Sequence, residues 1–274
     1  MNDFAKRRLV NTSGLIAVTA LSWLALTVLD ASIRATPFWS GWTLFAVIVS
    51  LAGFNARKKL PFIPLGKASS WMQFHLYAGI FSIFVYLAHA GPKLPSGTLE
   101  ASLCLLFVSI ALSGVVGAVV SRVVPVGLTT RGEPVLFERI ASLRMVLHEE
   151  VEALVVEAAR EHQTTTISDF YKENLDGFFR GPQNLVFHLM GWSKPIRELE
   201  REFDAMDRYL NEREREVVLL IRERTRLKDD LDYQWARQLL LKGWLFVHIP
   251  LTFSLLILVV LHIVVVYGFR GNLP

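Results

Sequence analysis

Two stretches of the chain, WMQFHLYAGIFSIFVYLAHAG at residues 71–91 and WLFVHIPLTFSLLILVVLHIVVVYG at 244–268, follow one template, W-x3-H-x13-H. The first places Trp71, His75 and His89, and the second places Trp244, His248 and His262. Imidazole is the side chain that most often ligates a metal. Fourteen residues of α-helix rise about 21 Å and turn back to within about 40° of the starting direction. Each histidine pair therefore lies on one face of its helix, at two depths. If the helices run parallel, His75 is level with His248 and His89 with His262, and facing imidazoles can fill both axial positions of a haem iron. Two levels make two haems. An iron ligated on both sides has no open position for oxygen or substrate, so the chemistry it favours is electron transfer. Gly79, one turn beyond His75, leaves room for a flat ring to approach the backbone.

Helices of this kind need a bilayer around them. The chain has 274 residues, 52% of them hydrophobic, and a mean hydropathy of +0.38, which places it among integral membrane proteins. Five apolar segments, residues 9–33, 38–54, 71–90, 101–120 and 243–269, are long enough or nearly long enough to cross a hydrocarbon core of about 30 Å. The run at 9–33 lacks a clear small-x-small cleavage site and reads as a retained first helix rather than a signal peptide. Lys6, Arg7, Arg8, Arg57, Lys58, Lys59 and Lys67 fall on one side of these segments, and Arg34, Lys93 and Arg270 on the other. The excess of positive charge predicts a cytoplasmic N-terminus and an outer C-terminus, in an inner or plasma membrane.

The expected architecture is thus all-α: five transmembrane helices with a helical cytoplasmic insert between the fourth and fifth. Its parts are a four-helix membrane portion at 1–121, the insert at 122–242, and the last span with a short outer tail at 243–274. In the insert, Leu136, Ile140, Leu143, Leu147, Leu154 and Ala158 recur at helical spacing. A shorter helix is predicted from Pro182 to a stop at Gly191. Beyond Pro195 a heptad seam runs through Ile196, Leu199, Phe203, Met206, Leu210, Val217, Leu220, Leu227 and Leu231. Residues 196–242 contain neither Gly nor Pro, so this is one long helix, or two broken near Asn211, feeding into the last span.

The net charge of +4 does not signal nucleic acid. The segment 122–242 has 19 basic and 22 acidic residues, whereas the remainder has 10 basic and 3 acidic. The basicity belongs to loops beside the membrane, where Arg57, Lys58, Lys59, Lys67, Lys93, Lys242 and Arg270 anchor in headgroups or pair with haem propionates. Cys104 is the single cysteine, which excludes an internal disulfide, a cysteine-ligated cluster and a covalent c-type haem. Any haem is therefore held without a covalent thioether link. Trp71 and Trp244 read as interfacial belt residues. His148, His162 and His188 have no partner at a ligand spacing, and the glutamates after His148 read as a solvated face. Asp30, near the end of the first span, marks a boundary or takes a proton in quinol chemistry. The run EREREVVLLIRERTRLKDDLD reads as a helix with interleaved ion pairs.

Paired histidines fourteen apart on two parallel spans resemble the di-haem membrane b-type cytochromes, including ferric-reductase-like transmembrane cytochromes and the cytochrome b of quinol-oxidising complexes. The resemblance covers 71–90 and 243–267 and implies that His75, His89, His248 and His262 ligate two haems on spans three and five. It departs from the ferric-reductase group in having no sixth span and no flavin and nicotinamide module, and no G-x-G-x-x-G or P-loop occurs in the chain. The resemblance implies an electron-carrying subunit that exchanges electrons with quinone, or with redox partner proteins on the cytoplasmic and outer faces, in contact with membrane lipid and not nucleic acid. A membrane scaffold or sensor without metal, its insert binding partners, is the alternative.

Overall fold

The computed structural model describes the backbone of residues 3–33, 36–59, 68–91, 93–128, 131, 133–162 and 165–269; within these, side chains of residues 3–11, 26, 29–33, 36, 55–59, 68, 161 and 162 are outside the description. Among the described residues there is no strand. Ten α-helices follow in order: α1 (Asp3–Ile33), α2 (Thr36–Lys59), α3 (Ala68–Ala90), α4 (Thr98–Leu128), α5 (Phe137–His162), α6 (Thr166–Phe170), α7 (Asp176–Phe179), α8 (Leu185–Met190), α9 (Lys194–Met206) and α10 (Glu212–Phe269). Four of them, α2, α3, α4 and α10, are long and apolar enough to cross a bilayer, while α1 offers a shorter apolar stretch at Thr12–Ala25. These are the helices of a multi-pass membrane protein, and helix is what lipid demands, because the hydrocarbon core offers backbone N–H and C=O groups no other partner.

The chain divides into two compact units. The first comprises Met1–Ala118 and Leu245–Pro274. Its buried core is Leu44 and Ile48 from α2, Val85 from α3, Phe107 from α4 and Leu255 from α10. Tyr86 stacks on Phe107 at 4.2 Å beside this cluster. In lipid such a cluster gains little from the hydrophobic effect and is held by dispersion contacts between close-packed side chains. Two prolines sit inside the long helices, Pro125 in α4 and Pro250 in α10. Membrane helices tolerate them where neighbouring groups reorganise the local hydrogen bonding, and Thr252 Oγ1 donates to the His248 carbonyl beside Pro250.

The second unit is Val119–Trp244. Its core joins Val151, Val155 and Ala158 of α5, Ile167 of α6, Phe179 of α7, Phe203 and Met206 of α9, and Val218 and Ile221 of α10. Tyr171, Leu175 and Phe179, four residues apart, bring the 166–179 segment onto that core through a π-turn at Tyr171–Leu175. Burying a side chain such as Phe203 contributes about 1.5–3 kcal/mol.

The seam expected after Pro195 breaks where it was allowed to. A 3-10 turn at Asp207–Tyr209 ends α9, and Leu210 adopts extended backbone. α10 then opens with a capping box: Asn211 Oδ1 accepts from the Glu214 N–H and Glu214 Oε2 accepts from the Asn211 N–H, both at 2.9 Å. The break resets the helical phase. Leu220 and Leu227, expected in the seam, are exposed, and Glu214, Val218, Ile221, Thr225, Lys228 and Asp232 form the buried face instead. The helix predicted to start at Pro182 begins three residues later, because Asn184 takes left-handed backbone (φ 56°) before it. Its predicted stop holds: Gly191 has φ +74°, which favours a residue without Cβ.

Candidate metal centre

In the first unit the four template histidines form two facing pairs. The rings of His75 and His248 have centroids 6.4 Å apart, and those of His89 and His262 6.5 Å apart. A direct N–H···N bond between imidazoles places the centroids about 5.2 Å apart, given a nitrogen separation of about 2.9 Å. Two imidazoles in trans on one metal, with metal–nitrogen bonds of about 2.0 Å, place them about 6.3 Å apart. Both pairs match the second distance. The ring planes are inclined to each other at 68° and 87°.

The backs of the rings are held by two other helices. On α2, the Pro37 carbonyl lies 3.1 Å from His89 Nδ1, and Ser40 Oγ lies 3.2 Å from the same nitrogen. A carbonyl only accepts, so the bond to Pro37 requires Nδ1 to carry the proton and leaves the lone pair on Nε2. Pro37 sits in the first turn of α2, and Gly41 one turn on gives the ring its place: a Cβ there would lie 2.9 Å from His89 Cε1. His75 packs on Phe54 of α2 at 5.2 Å. Its buried Nδ1 makes no well-formed hydrogen bond, and the Leu51 backbone is the acceptor beside the ring. Pro37 and Leu51 are themselves fourteen residues apart, so α2 repeats the interval of the histidines it backs. On α4, Ser113 Oγ lies 3.1 Å from His248 Nδ1, and Glu100 is within electrostatic reach of His262.

No family model, no curated protein and no solved structure matches this chain. The site is therefore read from its own geometry.

Among the described residues no three His, Cys, Asp or Glu side chains come together as a metal cluster. Two facing imidazoles with no third protein ligand do not suit a tetrahedral zinc site. They would suit a metal whose other positions are filled by a macrocycle, and in that sense the residues fit haem. Gly79, expected to admit a flat ring, meets open space: a Cβ there has nothing within 4 Å. The buried Leu255 lies midway in sequence between the histidines of α10, and the buried Val85 lies between those of α3, one turn before His89, so the apolar core sits between the two levels.

Two of the remaining histidines, His148 and His188, are placed in the second unit. His148 Nε2 lies 3.1 Å from the Tyr171 hydroxyl and 3.3 Å from Glu152, and its ring stacks on Phe179. His188 is buried, and burial pushes its pKa down to about 4. The His162 side chain and those of Asp30, Arg57, Lys58 and Lys59 lie outside the described residues, as do Lys6, Arg7, Arg8, Arg34, Lys67 and Arg270. Lys93 is exposed, and Lys242 pairs with Glu138 at 2.5 Å. The sequence reading missed Pro37, Gly41, Leu51 and Ser113, whose roles are visible only once the helices carrying them are set behind the histidines.

Proposed function

We propose that the protein carries electrons across a membrane through two bis-histidine b haems, as a subunit of a membrane oxidoreductase that exchanges electrons with quinone or partner redox proteins. The observation that carries this reading is the equality of the two facing pairs, 6.4 and 6.5 Å between centroids, at the separation a shared metal sets. His75 and His248 hold one haem; His89 and His262 hold the other. When bound, each group supplies a one-electron couple with no exchangeable ligand.

The chain's own residues do the rest. The Pro37 carbonyl keeps the Nδ1 proton of His89 on the far side of the ring, so that Nε2 is presented with its lone pair, and the Ser113 hydroxyl holds the Nδ1 edge of His248. Gly41 lets α2 close on His89 without displacing it. Leu44, Ile48, Val85, Phe107 and Leu255 exclude water between the levels, which keeps protons from crossing with electrons. The reading includes α1 as a fifth span, a cytoplasmic N-terminus, an outer C-terminus, and a cytoplasmic second unit that docks the partner. It agrees with the resemblance of the histidine template to di-haem membrane b-type cytochromes.

The test is vectorial. Proteoliposomes containing the protein and trapped ferricyanide are given a membrane-impermeant reductant outside. Internal ferricyanide should be reduced at a rate proportional to protein content, and the His89→Ala variant should abolish it. Reduction no faster than in empty liposomes rejects the proposal.

A further inference from the structure

The geometry points to a second membrane contact: an apolar foot on the helical unit, built from Leu136 on one side of α10 and Val186, Met190 and Trp192 on another, that rests in the headgroup layer of the bilayer. It goes beyond the redox reading and holds whether or not the histidines carry iron.

These side chains are 68%, 60%, 57% and 58% exposed, although they are large and apolar. Their height is fixed along α10. His188 of α8 lies 3.6 Å from Asp229, and its ring contacts Tyr233. Gly191 lies beside the Arg237 guanidinium, where a Cβ would meet Nη2 at 3.2 Å, and that guanidinium lies 5.1 Å from the centre of the Tyr233 ring. α8 thus delivers Trp192 close to the level of the Arg237 guanidinium. On another face, the Val135 backbone is bound at 2.8 Å by Gln234 and Gln238, and the Phe137 ring lies 4.0 Å from Lys242 Nζ. Leu136 therefore sits between Gln238 and Lys242. Two segments about fifty residues apart in sequence expose apolar groups at one height.

That height is where polar helix becomes apolar helix. Lys242 is the last charge of α10 before its apolar run, and Arg122 is the first charge after that of α4. Gly127, whose Cβ position is 3.7 Å from Arg237 Cζ, is five residues below Arg122, about 7.5 Å along α4. The headgroup layer adds about 5–7.5 Å on each side of the hydrocarbon core. Leu136 falls within it and Trp192 at its aqueous edge, where tryptophan and exposed aliphatic groups are stabilised. Lys194, Arg197 and Arg139, the next basic residues after each prong, are exposed and complement anionic headgroups.

The test places a single environment-sensitive fluorophore on the full-length protein in nanodiscs of phosphatidylcholine and phosphatidylglycerol. In a Cys104→Ser background, Trp192→Cys, Met190→Cys and Leu136→Cys are labelled, with Leu219→Cys as reference. Leu219 is exposed and about 35 Å down α10 from Lys242. Lipid carrying a doxyl group at carbon 5 should quench the three foot positions at least twofold, more than a carbon-12 doxyl, while aqueous acrylamide quenches them weakly. Leu219→Cys should behave in the opposite way. Acrylamide quenching of the foot equal to that of the reference position overturns the proposal, and so does shielding from both quenchers, which would mean that protein covers the patch. Two adjacent labels, at 190 and 192, keep the test decisive if loss of the tryptophan itself unseats α8.

Discussion

His89 Nδ1 lies 3.1 Å from the carbonyl oxygen of Pro37. The bond fixes the tautomer of a histidine that belongs to α3 by means of a backbone group that belongs to α2. Buttressing by a carbonyl is how metal-bound imidazoles are held in place and made more basic. It also means that the site extends over all four long apolar helices, and that residues with no metal-binding chemistry of their own should control it.

Gly41 is the sharpest example. A Cβ at this position would lie 2.9 Å from Cε1 and 3.3 Å from Nδ1 of His89. The ring cannot yield without losing either its bond to Pro37 or its alignment with His262. Gly41→Val should therefore lower haem content from about two per chain to about one, with the centre at His75 and His248 kept, as read by pyridine haemochrome assay against protein concentration. Gly79→Leu should remove the other centre, since its side chain would enter open space beside His75.

Ser113→Ala leaves His248 Nδ1 without its hydroxyl partner. On the proposed ligation through Nε2 the hydroxyl accepts from Nδ1–H, so its loss would make the imidazole less basic and a ferric haem less stabilised. One midpoint potential should rise by about 20–60 mV, the equivalent of a hydrogen bond worth about 0.5–1.5 kcal/mol, with the other unchanged in a spectroelectrochemical titration.

In the second unit Asp232 accepts from Lys228 Nζ at 2.5 Å, Arg144 Nη1 at 3.1 Å and the Gln183 N–H at 3.0 Å, and neither Asp232 nor Lys228 is exposed. Asp232→Ala strands the buried Lys228 and the half-buried Arg144 and should cost about 3–5 kcal/mol. Calorimetry of the full-length protein should show the transition of this unit lowered by roughly 10–20 °C.

His188 and Asp229, 3.6 Å apart, oppose each other in pH dependence. Burial lowers His188 from 6.5 to about 4, so the unfolded chain binds more protons between those values and stability falls as pH drops through them. Burial raises Asp229 from 3.8 to about 6, so the folded chain holds the extra proton and stability falls as pH rises from 3.8 to 6. Asp232, Arg131, Lys228 and Arg237 also act on His188. The two slopes offset each other near pH 5. His188→Leu removes one of them, and its urea midpoint, followed by amide exchange in α8, should increase from pH 6 to pH 4 relative to wild type.

Much of the membrane portion was legible because lipid leaves the backbone few choices. The apolar runs at 38–54, 71–90, 101–120 and 243–269 lie within α2, α3, α4 and α10. The break near Asn211 was one of two alternatives the sequence left open, and the Asn211–Glu214 capping box that decides it was not singled out. The phase after the break was not legible, since a heptad count carried across it assigns Leu220 and Leu227 to a seam that the reset helix turns outward. The same ambiguity hid the burial of Lys228, Asp229 and Asp232. Interleaved charges four apart look alike on a solvated and on a packed face, and only the elements laid against α10 distinguish them. At the site, the shared W-x3-H-x13-H template made the histidines readable. Pro37, Gly41 and Ser113 carry no such signature, because what they contribute is a carbonyl, an absence of Cβ and a single hydroxyl.

Haem stoichiometry in single-histidine variants tests the central claim most directly. Purified wild-type protein should show a low-spin spectrum whose Soret band shifts on dithionite reduction, at about two haems per chain. His89→Ala and His262→Ala should each lose the same single centre, and His75→Ala and His248→Ala the other. A colourless preparation of folded protein, or loss of different centres by His89→Ala and His262→Ala, would contradict the account.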